Sequence, residues 1–199
     1  MIKPTIPPPM MTTSAVFFMF SIRPRMIKHG TLGCSVLVSL LSTEKTLEPR
    51  FIADVMVGRL ARWLRMLGFD VLYSNRFEDD EIVRRAAAES RTLLTRDRGI
   101  RSRVPPESLI FIEDNDLDSQ IRQVLQEFRP TQLHPFTRCP ECNDLLVAVD
   151  KEEVFERIPP YVYFTQSQFA ECRSCRRVYW RGTHADKINT RLLKWTSSL

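Results

Sequence analysis

Residues 51–73 read FIADVMVGRLARWLRMLGFDVLY, and the hydrophobic period changes twice along them. Phe51-Ile52-Ala53 is a short apolar run that closes on Asp54. Val57, Leu60, Ala61, Leu64 and Leu67 then recur at intervals of three and four, the spacing of one helix face, and Gly68 supplies a helix stop. Phe69 to Tyr73 is short and apolar again, a second strand. Strand, helix, strand is the opening unit of a parallel sheet.

Working outward, Asp79-Asp80-Glu81 begins a second helix, 79–90, with acids at its positive end. Thr92 to Thr95 predicts the third strand and Leu109 to Ile112 the fourth; Ile121, Val124, Leu125 and Phe128 mark a further helix. The expected fold class is therefore α/β, a mainly parallel sheet with flanking helices over residues 51–130. Pro130 and Pro135 punctuate a linker. A cysteine-bearing module is expected over 136–186, then a basic tail or helix over 187–199.

The net charge of +5 is unevenly spread. Residues 1–50 carry six Lys/Arg against two Glu, whereas residues 51–199 carry 23 basic against 22 acidic residues. A globally cationic nucleic-acid binder does not follow. From Cys172 onward, seven basic residues face the single acid Asp186. The first 43 residues hold no Asp or Glu, and they include Ser, Thr and the run Pro7-Pro8-Pro9. Residues 1–50 are expected to be a disordered or targeting extension; an acid-free, hydroxyl-rich leader resembles an organelle transit peptide, and without that role a cytoplasmic location is expected. No run of 18 apolar residues is present, so no membrane span is expected.

In a parallel sheet the carboxyl ends of the strands gather on one edge, where ligands bind. Asp54 follows the first strand, Asp97 follows the third, and Asp79 and Asp80 lie in the connection after the second. Each has a plain structural reading: Asp54 as a helix cap, Asp79 as an N-cap, Asp97 as a turn residue before Gly99. Their delivery to one edge favours a joint role. Clustered carboxylates repel unless a cation sits among them, and an oxygen-only set suits Mg²⁺ or Mn²⁺ beside a phosphate. Arg59, Arg62 and Arg65 on the first helix, with Arg96 and Arg98 beside Asp97, are candidates to line a phosphodiester backbone. A solvated helix face is the alternative for the first three. A phospho-acceptor receiver would need a second acid beside Asp54 and a late Lys, but Val55 follows Asp54 and no Lys occurs from 51 to 150. Phosphate-loop and dinucleotide folds lack their glycine-rich turn.

Cys139-Pro140-Glu141-Cys142 and Cys172-Arg173-Ser174-Cys175 are two CxxC pairs separated by 29 residues. Two such pairs supply a closed tetrahedral zinc site, and the intervening segment is apolar enough from Val154 to Phe169 for a hairpin. Zinc turns favour a residue tolerant of positive φ after the second cysteine; Asn143 suits this and Arg176 does not. Cys34 lies in the leader, and His184 is surplus to a four-cysteine site.

The blocks FIADVMVGRLARWLRMLGFDVLY, DDEIVRRAAAESRTLLTRDRG and RCPECN…CRSCRRVYWRGTH together resemble the Mut-seven C-terminal RNase domain family over roughly residues 51–186. The resemblance implies a PIN-like fold joined to a zinc ribbon and a metal-dependent ribonuclease. It points to Asp54, Asp79 (with Asp80 adjacent) and Asp97 as the acids that hold Mg²⁺ or Mn²⁺. A fourth acid is common in such sites, with Asp114 and Asp116 as candidates. Zn²⁺ would be structural, on Cys139, Cys142, Cys172 and Cys175. RNA is the expected partner, gripped in part by Arg176, Arg177, Arg181 and the basic tail; the sequence sets no oligomeric state. The competing reading is a non-catalytic RNA-binding adaptor that uses the ribbon and tail.

Overall fold

The structure, a computed structural model, describes residues 49–130, 132–182 and 185–196. The acid-free leader, Cys34 and His184 lie outside them. Four strands, β1 (Arg50–Ala53), β2 (Asp70–Tyr73), β3 (Thr92–Thr95) and β4 (Leu109–Phe111), form one sheet in the order β2-β1-β3-β4. All three pairings are parallel, with Phe51 opposite Val71 and Thr92, and Leu94 opposite Ile110. The α/β sheet expected from the periodicity is present.

Successive side chains of a strand point to opposite faces, and this sheet is buried on both. Phe51, Ala53 and Leu94 enter a core with Leu60, Leu64, Ile121, Val124 and Leu125. Ile52 and Leu93, one residue out of step, enter a second core with Ile82, Ala86 and Ile100. Helices α1 (Gly58–Met66) and α4 (Leu117–Phe128) therefore cover one face, and α2 (Asp79–Ala88) with the short α3 (Arg98–Arg101) covers the other. α1 ends where Gly68 takes φ +100°; there a Cβ would also lie 2.3 Å from the His134 carbonyl oxygen. Glycine is required on both counts.

A second sheet of three antiparallel strands, β5 (Leu146–Val149), β6 (Phe169–Cys172) and β7 (Val178–Trp180), carries the cysteine pairs. The gap between the cysteine pairs does hold an antiparallel pair, β5 with β6, but the apolar residues from Val154 to Thr165 are not its strands. Glu152–Arg157 is a 3-10 turn and α5 (Pro160–Thr165) follows it. Pro159 and Pro160 have no amide proton for a ladder, and Pro160 fits the first turn of a helix, whose amides need no partner. The C-terminal segment is helical, α6 (Ala185–Thr196), and it inserts Leu192 and Trp195 into the first core. Trp195 meets Trp63 of α1 edge-on, ring centres 5.3 Å apart, and Arg191 bonds Asp118 of α4 at 2.7 Å. Among the described residues no helix is long and apolar enough to cross a membrane.

Candidate active site and metal centre

The strand order reverses direction between β1 and β3, and the crevice beyond their carboxyl ends is where open α/β sheets bind ligands. Asp54 and Asp97 flank it. Asp54 is 2% exposed; its Oδ1 accepts from the Met56 amide at 3.1 Å, and its Oδ2 accepts from the Thr95 hydroxyl at 2.6 Å. The same Thr95 oxygen accepts from the Asp97 amide at 2.9 Å. One buried hydroxyl thus ties the two acidic positions together across adjacent strands. Asp97 Oδ1 in turn caps α3, accepting from Gly99 at 2.6 Å and Ile100 at 3.3 Å.

Asp79 is exposed at the start of α2, where Glu78 occupies the N-cap position. Asp80, also exposed, is ion-paired with Arg103. Asp116 caps α4 through the Ser119 amide, and Asp114 accepts from the Asp116 amide. The acids arrive at one edge, but Asp54, Asp79 and Asp97 do not converge on a point. Among the described residues, the group of three or more potential ligands whose donor atoms all lie within 4.8 Å of one another is the four cysteines.

The candidate phosphate-binding arginines separate. Arg59 and Arg98 are exposed and make no ion pair among the described residues. Arg96 hydrogen-bonds Asn115, which bridges the loops after β3 and β4. Arg62 and Arg177 both pair with Glu141, and Arg176 pairs with Glu171. Arg181 is exposed after β7.

Arg65 is a correction. It is 3% exposed and donates to the Val71 carbonyl at 2.9 Å, the Pro140 carbonyl at 3.0 Å and the Glu141 carbonyl at 2.7 Å. Its guanidinium is spent inside the protein and does not face a nucleic acid. The cause is helical geometry: at about 100° per residue, a step of three falls short of a full turn by about 60°. The row Arg59, Arg62, Arg65 therefore winds from solvent into the interior.

The cysteine pairs form two matching turns. The Asn143 amide donates to the Cys139 carbonyl at 2.9 Å, and the Arg176 amide donates to the Cys172 carbonyl at 2.8 Å. Both residues take positive φ, 71° at Asn143 and 60° at Arg176. Arg176 adopts the conformation its type disfavours, because the turn is dictated by the cysteines. The sulfurs of Cys139 and Cys175 lie 3.7 Å apart, and those of Cys142 and Cys172 lie 3.1 Å apart. A zinc–thiolate tetrahedron with bonds of about 2.3 Å has edges of about 3.8 Å; the first edge is close to this, the second is shorter, and the four sulfurs, all within 4.8 Å of one another, are placed to hold a metal ion. Burial opposes a thiolate at Cys139. Hydrogen bonds from the Tyr179 hydroxyl at 2.9 Å and from the turn backbone outweigh it and hold the thiol below its ordinary pKa. Burial and the Cys172 thiol push Cys142 up, and burial does the same to Cys175. A cation among the sulfurs removes that penalty.

The family model of the Mut7-C RNAse domain matches residues 49–192. The chain belongs to that family. No curated protein and no solved structure matches the chain. The Mut7-C match runs from the start of β1 to Leu192 in α6, so the acidic edge, both cysteine pairs and the first part of the C-terminal helix lie inside it. Membership in an RNase domain family points to a ribonuclease with RNA as its substrate.

Thr95 escaped the sequence reading. Its signal is local, a hydroxyl two residues before Asp97, the spacing of a Ser/Thr turn. The bond from the Val71 amide to Asn143 Oδ1, 72 residues apart in the chain, leaves no such local signal.

Proposed function

We propose that this Mut7-C protein is a divalent-metal-dependent ribonuclease whose chemistry takes place at the carboxyl edge of β1 and β3. The observation that carries the reading is the Asp54–Thr95–Asp97 linkage at the strand-order reversal. The donor set fits a hard cation: a carboxylate oxygen has two lone pairs, each Asp54 oxygen accepts a single bond, and Asp97 Oδ2 and Asp79 have no partner among the described residues. Mg²⁺ keeps several waters and is held through one or two carboxylates, so the three acids need not meet. Asp54 and Asp97 would hold the ion, with Asp79 facing it from the β2–α2 connection; Asp80 is taken by Arg103. When bound, Mg²⁺ or Mn²⁺ supplies an activated water and charge neutralisation at a phosphodiester. Thr95 orients Asp54, and the exposed Arg59 and Arg98 would hold RNA phosphates. Residues 51–130 would form the catalytic unit and 136–186 a ribbon held by structural Zn²⁺ on the four cysteines.

A second reading has its own observation. Asp54 and Asp97 both cap helices, the work of structural residues, which suits a non-catalytic RNA-binding adaptor. A metal-titrated cleavage assay on single-stranded and structured RNA separates the two. Cleavage that requires Mg²⁺ or Mn²⁺ and falls at least about a thousandfold in Asp54→Asn/Asp97→Asn supports the enzyme. RNA binding without cleavage at any metal concentration, or cleavage unchanged in the double variant, overturns it.

A further inference from the structure

We propose that the segment between the two cysteine pairs carries a docking surface for a basic segment of a partner protein. Side chains three apart eclipse in a 3-10 helix, so Glu152–Arg157 presents three rows. Val154, fully buried, and Arg157, which donates to Glu171 at 2.9 Å, form the inward row. Glu152 with Phe155 forms one outward row, and Glu153 with Glu156 forms the other. In α5 Val162 is buried, while Tyr161 and Phe164, three apart, face solvent at 69% and 78% exposure; Phe155 is 55% exposed. Every strongly exposed aromatic ring among the described residues lies in this one segment. The rings are ordered: Phe155 meets Tyr163 at 4.8 Å between centres, and Tyr163 meets Phe164 at 5.7 Å, both edge-on. Exposed apolar clusters of this kind mark interaction sites.

Charge selects the occupant. Asp150, Glu152, Glu153 and Glu156 are exposed around the rings, whereas Arg157 is committed to Glu171 and Lys151 lies with its ammonium 4.4 Å from the Tyr163 ring centre. Single-stranded RNA stacks on aromatic rings where a basic groove tracks its phosphates, and here the rim is acidic. A Lys/Arg-rich protein segment meets both features, with cations over ring faces and ion pairs to the carboxylates. Lys151 on Tyr163 already shows that these rings accept a cation.

The test uses the zinc-loaded full chain and fluorescence anisotropy with two probes, a labelled Arg/Lys-rich peptide and a labelled single-stranded RNA. The variants are Tyr161→Ser/Phe164→Ser and Glu152→Gln/Glu153→Gln/Glu156→Gln, all at exposed positions, with circular dichroism to verify the fold. The expected result is salt-sensitive peptide binding, weakened at least about tenfold in each variant, with RNA affinity unchanged. Peptide affinity unchanged in both variants overturns the proposal. So does RNA affinity lost in the ring variant, which makes the rings a stacking platform. A wild-type dimer that the ring variant dissociates, seen by sedimentation, assigns the face to self-association and overturns it too.

Discussion

Asn143 closes the free edge of the parallel sheet at Val71. Its Oδ1 accepts from the Val71 amide at 2.9 Å, while its Nδ2 donates to Asp70 Oδ1 at 2.7 Å. The Val71 carbonyl, facing the same way, accepts from Arg65. An edge strand presents unpaired backbone groups that a protein must cover. Here a side chain of the first cysteine turn and a side chain of α1 take the place of a fifth strand. Because Arg65 also holds the Pro140 and Glu141 carbonyls, the cysteine cluster and the parallel sheet share one hydrogen-bond network.

Metal removal should therefore be felt in the sheet. Chelation of zinc, or Cys142→Ser/Cys172→Ser, is expected to accelerate hydrogen exchange of the Val71 amide along with that of the cysteine turns. Protection at Val71 that is indifferent to zinc would show the two parts to be uncoupled.

The positive-φ residues of the two cysteine turns should respond unequally to glycine. Asn143→Gly keeps the turn but strips Val71 and Asp70 of their partner, a cost of about 1–3 kcal/mol. Arg176→Gly relieves left-handed strain of about 1 kcal/mol but strips the buried Glu171 Oε1 of its partner at 2.8 Å, so the two effects offset and its cost should be the smaller of the two. Urea denaturation of the zinc-loaded protein measures both; a cost for Arg176→Gly equal to or above that of Asn143→Gly would refute the assignment of roles.

Arg65 and Arg98 should separate stability from binding. Arg65→Met leaves three buried carbonyls without a donor and should cost about 3 kcal/mol or more in thermal or urea unfolding. Arg98→Ala should leave the melting temperature unchanged and reduce the salt dependence of RNA affinity. A melting temperature unchanged in Arg65→Met would return that residue to the surface.

Thr95→Val keeps the shape of the side chain but leaves Asp54 Oδ2 and the Asp97 amide unpaired, with a predicted loss of about 1–3 kcal/mol. If Thr95 positions Asp54, RNA cleavage falls in Thr95→Val and returns in Thr95→Ser, which keeps the hydroxyl. Equal cleavage by both variants would confine Thr95 to a structural role.

Acid should loosen the Asp70 network. Burial raises the Asp70 pKa, but hydrogen bonds from Arg91, at 2.8 and 3.3 Å, and from Asn143 outweigh it and hold the carboxyl below its ordinary 3.8. A depressed carboxylate contributes stability that is complete above the unfolded pKa and is lost as pH falls through the folded one. Unfolding free energy should thus decline below about pH 4 and decline less steeply in Asp70→Asn. The pH dependence of urea midpoints supplies the measurement.

Much of the fold was legible because its signals are local. The runs at Phe51 to Ala53, Leu93-Leu94 and Leu109 to Ile112 are apolar without alternation, as strands covered on both faces must be. The arrival of Asp54 and Asp97 at one edge followed from parallel topology alone. The antiparallel pair in the cysteine gap formed at its ends, β5 with β6, because Pro159 and Pro160 deny the apolar residues between those strands the donors of a ladder. The route of Arg65 was hidden in a drift of about 60° per three residues that a row of arginines does not advertise.

The sequence by itself determined the parallel sheet, the acidic edge and the four-cysteine cluster, since each is set by periodicity or by short fixed spacing. Only the tertiary structure decided that Thr95 joins Asp54 to Asp97, that Arg65 turns inward, and that Asn143 covers Val71. Each of these includes a contact between separate elements, and in each a side chain meets a backbone group. A backbone hydrogen bond has no residue type, so the chain alone cannot announce it.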